Sequence, residues 1–273
     1  MMAAGALGVL SLVSLPAAGQ DKKAAAAPKK ANPTPRFTDG HPDLGNGKGS
    51  WLPVTIDDIS GNGGGEKDAA TRARQIKMVD AKVDVPFLPW AKELYDKRYE
   101  SLSKDDPESL CLPPGIPRMM STPFAFQVFQ LPDRIIFVFE GGAHVWRTIY
   151  MNRKEHPADF AQLTYLGDSL GHWEGDTLVV DVKGFNENFW LDAAGHPHTD
   201  QLHVIERYTR DDENTLHYQA TIDDPGAYTK PWTIGYHIKW HAGWEPYEYI
   251  CQENNKDVLN GHMYGAAPGA KHP

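Results

Sequence analysis

The pattern of apolar and polar positions changes character partway along the chain. From Phe126 onward, short stretches alternate apolar and polar side chains with a period of two, as strands with one buried face do. This predicts nine strands: Phe126 to Leu131, Arg134 to Glu140, Val145 to Met151, Ser169 to Trp173, Asp176 to Val182, Leu202 to Arg210, Thr215 to Asp223, Trp232 to Trp240 and Tyr247 to Gln252. Turn sequences such as Pro132-Asp133, Glu174-Gly175 and Asp212 to Asn214 join several of them as hairpins. Consecutive hairpins make a meander, which loses its exposed edges by closing as an antiparallel up-and-down barrel. Upstream the period is helical. Glu66 to Val79 spaces Ala69, Ala70, Ala73, Ile76 and Val79 on one face. After Phe87, Pro89 suits a first helical turn, and Trp90, Ala91, Leu94, Tyr95, Tyr99 and Leu102 form a stripe. Two N-terminal helices are therefore expected outside the barrel or across one end. CLPPGIPR, Cys111 to Arg118, is a rigid connector, because its prolines lack donors and hold their neighbours extended.

Alternation also sorts what each strand presents. Leu202, Val204, Glu206 and Tyr208 share one face, and His203, Ile205, Arg207 and Thr209 the other. On the next strand Leu216, Tyr218, Ala220 and Ile222 oppose His217, Gln219 and Thr221. Trp232, Ile234, Tyr236, Ile238 and Trp240 back onto Thr233, His237 and Lys239. One face is strongly apolar and aromatic. The polar face has two readings, bulk solvent or a wet barrel interior lined with His, Gln, Thr and Arg.

Composition narrows the setting. The 273 residues suffice for one large core, and a formal net charge of −9 offers no basic field for a nucleic acid. Ala3 to Leu15 is apolar and is followed by Pro16-Ala17-Ala18-Gly19, so residues 1–19 read as a secretory signal peptide, although no Lys or Arg precedes the apolar run. The mature protein is then expected to be periplasmic or secreted, with no integral membrane segment. Residues 20–38 read as a disordered linker rich in Ala, Lys and Pro, and 39–110 as a loop and helical extension with Trp51 as its main anchor. The barrel domain is expected over 111–262, with a flexible tail over 263–273. The two cysteines, Cys111 and Cys251, are either separate core thiols or one long-range disulfide, and an exported chain favours the bond.

Three motifs bear on chemistry. Gly167-Asp168-Ser169-Leu170-Gly171 matches the nucleophile elbow and the GDSL hydrolase signature, with Asp200 and His203 as a D-x-x-H partner. The flanking hairpin argues against it, since an elbow needs a strand, a sharp turn and a helix. His196-Pro197-His198, with His203 and a later His237 or His241, resembles a cupin-like metal set, but Pro197 points to a loop, and no metal or other cofactor is assigned. The third is acid/base work by side chains. Glu140, Asp181 and Arg147 interrupt apolar strands, so each points outward or is buried with a partner. A cavity holding His203, Glu140, Asp181 and Arg147 would form a catalytic set, with Arg207, His198, Trp190, Tyr228 and Trp232 contacting substrate. The competing reading is a structural ion-pair network with the aromatics in the core.

Six blocks carry a resemblance: FTDGHPDL (Phe37 to Leu44), CLPPGIPR, GDSLGHWEGDTLVVDVKGF (Gly167 to Phe185), WLDAAGHPHTDQLHVIERYTR (Trp190 to Arg210), TIDDPGAYTKPW (Thr221 to Trp232) and YICQENNKD (Tyr249 to Asp257). In these the chain resembles a large group of exported bacterial proteins, common in soil bacteria and mostly uncharacterised. The resemblance implies no activity. In that group the first block runs directly into a glycine and tryptophan, whereas here Gly45 to Ser50 intervene before Trp51, which leaves the first strand's register open.

The resulting expectation is a mainly β, lipocalin-like barrel that holds a small organic molecule in its interior and performs lyase, isomerase or hydrolase chemistry on it. A non-catalytic periplasmic binder is the alternative.

Overall fold

A computed structural model describes residues 32–62, 73, 76–101 and 103–253. The expected signal peptide, most of the linker, nine of the fourteen residues of the expected Glu66 to Val79 helix and the C-terminal tail lie outside the described residues.

Nine strands close into a barrel in chain order: β1 (Gly49–Leu52), β2 (Phe126–Gln130), β3 (Arg134–Phe139), β4 (Trp146–Tyr150), β5 (Asp168–Glu174), β6 (Thr177–Lys183), β7 (His203–Asp212), β8 (Thr215–Asp223) and β9 (Trp232–Ala242). Eight of the nine expected strands are present. The ninth, Tyr247 to Gln252, is not a strand, because β1 already occupies the free edge of β9 through Trp51↔Trp240 and its neighbours. The closing strand therefore comes from the N-terminal extension, ahead of the segment expected to hold the whole barrel. Part of the expected disordered linker is also bound to the barrel: Arg36 is bidentate to Asp176, and Thr34 donates to the Arg210 carbonyl at 2.6 Å.

The sheet is not wholly antiparallel. β4 and β5 run parallel and share only Ile149↔Ser169 and Tyr150↔Leu170. A parallel pair needs a crossover, here residues 151–167, which passes back over the outer wall instead of turning tightly. One long helix is present among the described residues, α1 (Pro89–Glu100), which starts at Pro89 as expected. It closes one end of the barrel: Leu88 N donates to the Ala227 carbonyl at 2.8 Å, and the Trp90 indole to the Gly226 carbonyl at 2.9 Å. A four-residue turn, α2 (Gly141–His144), follows β3. Cys111 and Cys251 form a disulfide across 140 residues of chain.

The apolar, aromatic face lies inside. Phe126, Phe137, Tyr208, Tyr218 and Tyr236 are each 0% exposed, and their rings cross the interior in series at centroid separations of 5.6, 5.3, 5.1 and 5.3 Å. Side chains thus fill the barrel where a ligand was expected. The polar face, with His203, Arg207, His217 and His237, lies outside.

One charge pair is packed within this interior. The Arg147 guanidinium donates to Glu206, to Ser169 Oγ at 3.0 Å and to Tyr208 Oη at 3.3 Å. The second Glu206 oxygen, Oε1, accepts from Tyr208 Oη at 2.7 Å and from Tyr218 Oη at 2.9 Å. Burial disfavours the Arg147 charge, but the Glu206 carboxylate outweighs it and raises the guanidinium pKa. Burial, and then the Glu206 charge, push the Tyr208 and Tyr218 hydroxyls far up, so both remain donors.

This network makes a stability prediction. Glu206→Gln strands a buried guanidinium and should cost about 3–5 kcal/mol in urea unfolding, whereas Arg147→Met with Glu206→Leu should restore most of the loss. An equal loss in the double variant would contradict this account.

Candidate functional site

The crossover after β4 builds the candidate site. Along β4, Trp146, Thr148 and Tyr150 face outward while Arg147 and Ile149 face inward. Residues 151–167 arch over this outward face and enclose a cavity of about 760 Å³. Trp146, Thr148 and Tyr150 line it from the wall, with Phe160 and Tyr165 from the arch and Asp168 at the start of β5. The rim is open, since Trp146 is 68% exposed.

The arch is pinned at both ends. Arg153 makes two hydrogen bonds to Asp168, at 2.9 and 3.0 Å, and its guanidinium stacks over Tyr150 at 4.5 Å. Thr164 N donates to the Gly184 carbonyl at 3.0 Å, and Asn186 N to the Thr164 carbonyl at 2.9 Å. Phe160 lies on Gly184, where a Cβ would come within 2.6 Å of its ring and where φ is +79°. Both the contact and the backbone therefore require glycine there.

His156, on the arch, joins two strands of the wall. Its Nδ1 lies 2.8 Å from Asp168 Oδ1 and its Nε2 3.1 Å from Asp181 Oδ1. That same Asp181 oxygen lies 2.8 Å from His203 Nε2. A hydrogen-bonded chain Asp168–His156–Asp181–His203 thus crosses β5, β6 and β7 on the outer surface. His203 Nδ1 has no partner among the described residues, and His203 lines a second pocket of about 350 Å³ together with Lys183, Asp200 and Asp223. Phe160 and Gly184 line both cavities, so the two meet at that contact. Partial burial works against the Asp181 charge, but hydrogen bonds and charge from His156 and His203 outweigh it, and its pKa is lowered.

The expected catalytic set divides. His203 and Asp181 are bonded to each other on the outer wall. Arg147 is inside, committed to Glu206, because strand parity places 147 and 206 on the opposite face from 181 and 203. Glu140 follows β3 and accepts from Tyr247 N at 2.9 Å, apart from both groups. The serine hydrolase arrangement fails for the same reason of parity: Ser169 is buried inside against Arg147, and His203 faces out.

The expected substrate contacts are elsewhere too. Arg207 is on the outer wall, paired with Glu174 at 2.8 Å. Trp190, Tyr228 and Trp232 are 4%, 2% and 5% exposed and belong to the core at the end capped by α1. The Arg98 guanidinium covers the Trp190 ring at 4.3 Å, its pKa lowered by burial to about 10. The Tyr228 hydroxyl donates to the Pro197 carbonyl at 2.6 Å. His198 is buried, with its nitrogens 3.1 and 3.0 Å from the Thr199 and Phe189 carbonyls. His196 is buried against Asp192 at 2.7 Å and stacks on Phe87. Burial opposes the His196 charge, but Asp192 outweighs it and raises the pKa. These two histidines are structural, and His203 lies apart from them on the wall.

Sequence reasoning missed His156, which sits in an aperiodic loop, and Glu206 as the partner of Arg147. Glu206 carried a signal: it is the one acidic residue on the apolar face of its strand. No family model, curated protein or solved structure matches this chain.

The Asp181 interactions give a pH dependence of known sign. Its folded pKa is depressed, so the stabilisation is complete above the ordinary aspartate value of about 3.9 and is lost as pH falls through the lower folded value. Carboxyl-carbon NMR should place the Asp181 midpoint below about 3.9, and His156→Ala should move it upward. A midpoint that ignores His156→Ala would remove His156 from the chain.

Proposed function

We propose that this protein is exported, binds a small planar organic molecule on the outer wall of its barrel and carries out acid/base chemistry with His203. The observation that carries the reading is the chain Asp168–His156–Asp181–His203, which ends on a histidine that lines a pocket and whose Nδ1 has no partner among the described residues. Asp181 accepts a hydrogen bond from Nε2–H of a neutral His203, which leaves the lone pair on Nδ1 as a base. Once His203 accepts a proton, Asp181 stabilises the imidazolium, and His156 holds Asp181 in place from its other side. Trp146, Tyr150, Phe160 and Tyr165 suit a flat ligand by stacking, and Lys183 supplies a cation beside His203. Export is supported by the leader-like residues 1–19 and by the disulfide, which suits an oxidising compartment.

A second reading, a binder without turnover, is favoured by the cavity of about 760 Å³ itself. Its carboxylate, Asp168, is already engaged by Arg153 and His156, and Arg147 is engaged by Glu206.

Two probes separate these readings. 5-Nitrobenzisoxazole is flat and loses its C3 proton to a base as its N–O bond opens to a coloured phenoxide. The protein should open it faster than free imidazole at equal concentration, and His203→Ala should lower the rate by about a hundredfold. A rate equal to that of imidazole, or one insensitive to His203→Ala, refutes the catalytic reading. Anilinonaphthalene sulfonate should bind saturably to wild type and to His203→Ala but not to Thr148→Trp, whose indole fills the cavity. Absence of saturable binding refutes both readings.

A further inference from the structure

On the far side of the barrel, β8 and β9 carry a second cluster of titratable groups. His217 and His237 are directly paired across the two strands, and both point outward. Their rings lie 4.5 Å apart at an interplanar angle of 11°. Asp80 reaches them from the segment ahead of α1. Its carboxylate is 2.7 Å from His217 Nε2 through Oδ2 and 3.6 Å from His237 Nδ1 through Oδ1. The three ligand atoms all lie within 4.8 Å of one another.

Two features indicate that this arrangement is built. The first is backbone. Val79 bridges to Tyr236, and Asp80 N donates to the Gly235 carbonyl at 2.8 Å, which fixes the Asp80 backbone to β9. Gly235 faces outward in mid-strand, where glycine is unfavourable and marks a close approach by something else. A Cβ there would stand 2.1 Å from Asp80 Oδ2, so the carboxylate occupies the space a side chain would take. The second is the outer partner of His237. Its Nε2 lies 3.4 Å from Asp211 Oδ2. A carboxylate on the far nitrogen holds a histidine in the tautomer whose other nitrogen carries the lone pair, as is usual for metal-bound histidines. Here that other nitrogen is Nδ1, the one turned towards Asp80.

We propose that Asp80, His217 and His237 form a binding site for a divalent transition-metal ion of the zinc type, with Asp211 orienting His237. Two imidazoles and a carboxylate are the donor set such an ion takes, at about 2.0–2.2 Å from each ligand atom. Ligand atoms around a tetrahedral ion at that radius are separated by about 3.4 Å, so the His217–Asp80 contact opens slightly and the others close. His237 is the side chain with room to tilt out of the stack, being 46% exposed. Water completes the coordination. A structural consequence follows: the ion ties the Asp80 segment to β8 and β9 through bonds that take the lone pairs of neutral histidines.

The test is calorimetric titration of the full untagged chain with zinc chloride at pH 7.5. One equivalent should bind with micromolar affinity. His237→Ala and His217→Ala should each weaken it by at least about a hundredfold, and Asp211→Asn by about tenfold. Cobalt(II) should give a visible absorption band that His237→Ala abolishes. Both histidines are on the surface, so these variants keep the fold, and unchanged circular dichroism checks this. Binding that survives His237→Ala, or a wild-type affinity weaker than about millimolar, overturns the site.

Discussion

The interior of this barrel is organised by one desolvated charge pair. Removing Arg147 and Glu206 from water is tolerable only if each meets the other and their remaining hydrogen-bonding groups are met as well. Ser169, Tyr208 and Tyr218 meet that requirement. The five residues come from β4, β5, β7 and β8, so the network favours a single register for those strands. A slip by one residue on β7 would exchange Glu206 for Ile205 or Arg207, and would put a carboxylate in water and leave a guanidinium buried alone. The aromatic series from Phe126 to Tyr236 packs around this centre and leaves the ligand-sized spaces to the outer wall.

Much of the fold is legible in the sequence. Period-two alternation locates β2 to β9 and separates the face that becomes core from the face that becomes wall. The legibility fails where alternation lacks context. Tyr247 to Gln252 alternates, but a strand also needs a free edge, and β1 has taken it. β1 itself is four residues long and follows a run rich in Gly and Asp, too short to show a period. The parallel β4–β5 pair could have been inferred from the length of the connection between Tyr150 and Asp168, which is too long for a hairpin. Most of the helix expected over Glu66 to Val79 falls outside the described residues, while Pro89 marks the start of α1 as read.

The site was legible residue by residue but not as a set. Parity along a strand states which side chains share a face, and that is enough to separate Arg147 from His203. It does not state which strands are adjacent. Asp181 meets His203 because β6 pairs with β7 through Val182↔Val204, which sets the two side chains diagonally on the outer wall. His156 arrives from an aperiodic arch, and only tertiary structure places it between two aspartates. The aromatic residues expected to hold substrate instead cap the core: Trp190 after β6 and Tyr228 after β8 lie in connections that contact α1 or its start, and Trp232 opens β9 beside Tyr228.

The bond between Cys111 and Cys251 sets an order of events. Cys111 precedes β2 and Cys251 follows β9, so eight strands lie between the two sulfurs. A chain synthesised from its N-terminus presents the first sulfur long before the second. The native pairing must wait for the last strand, and by then every staff of the cask is in hand. The covalent link acts as the hoop driven on at the end, and any cross-link made earlier at Cys111 has to be a foreign one that is later exchanged.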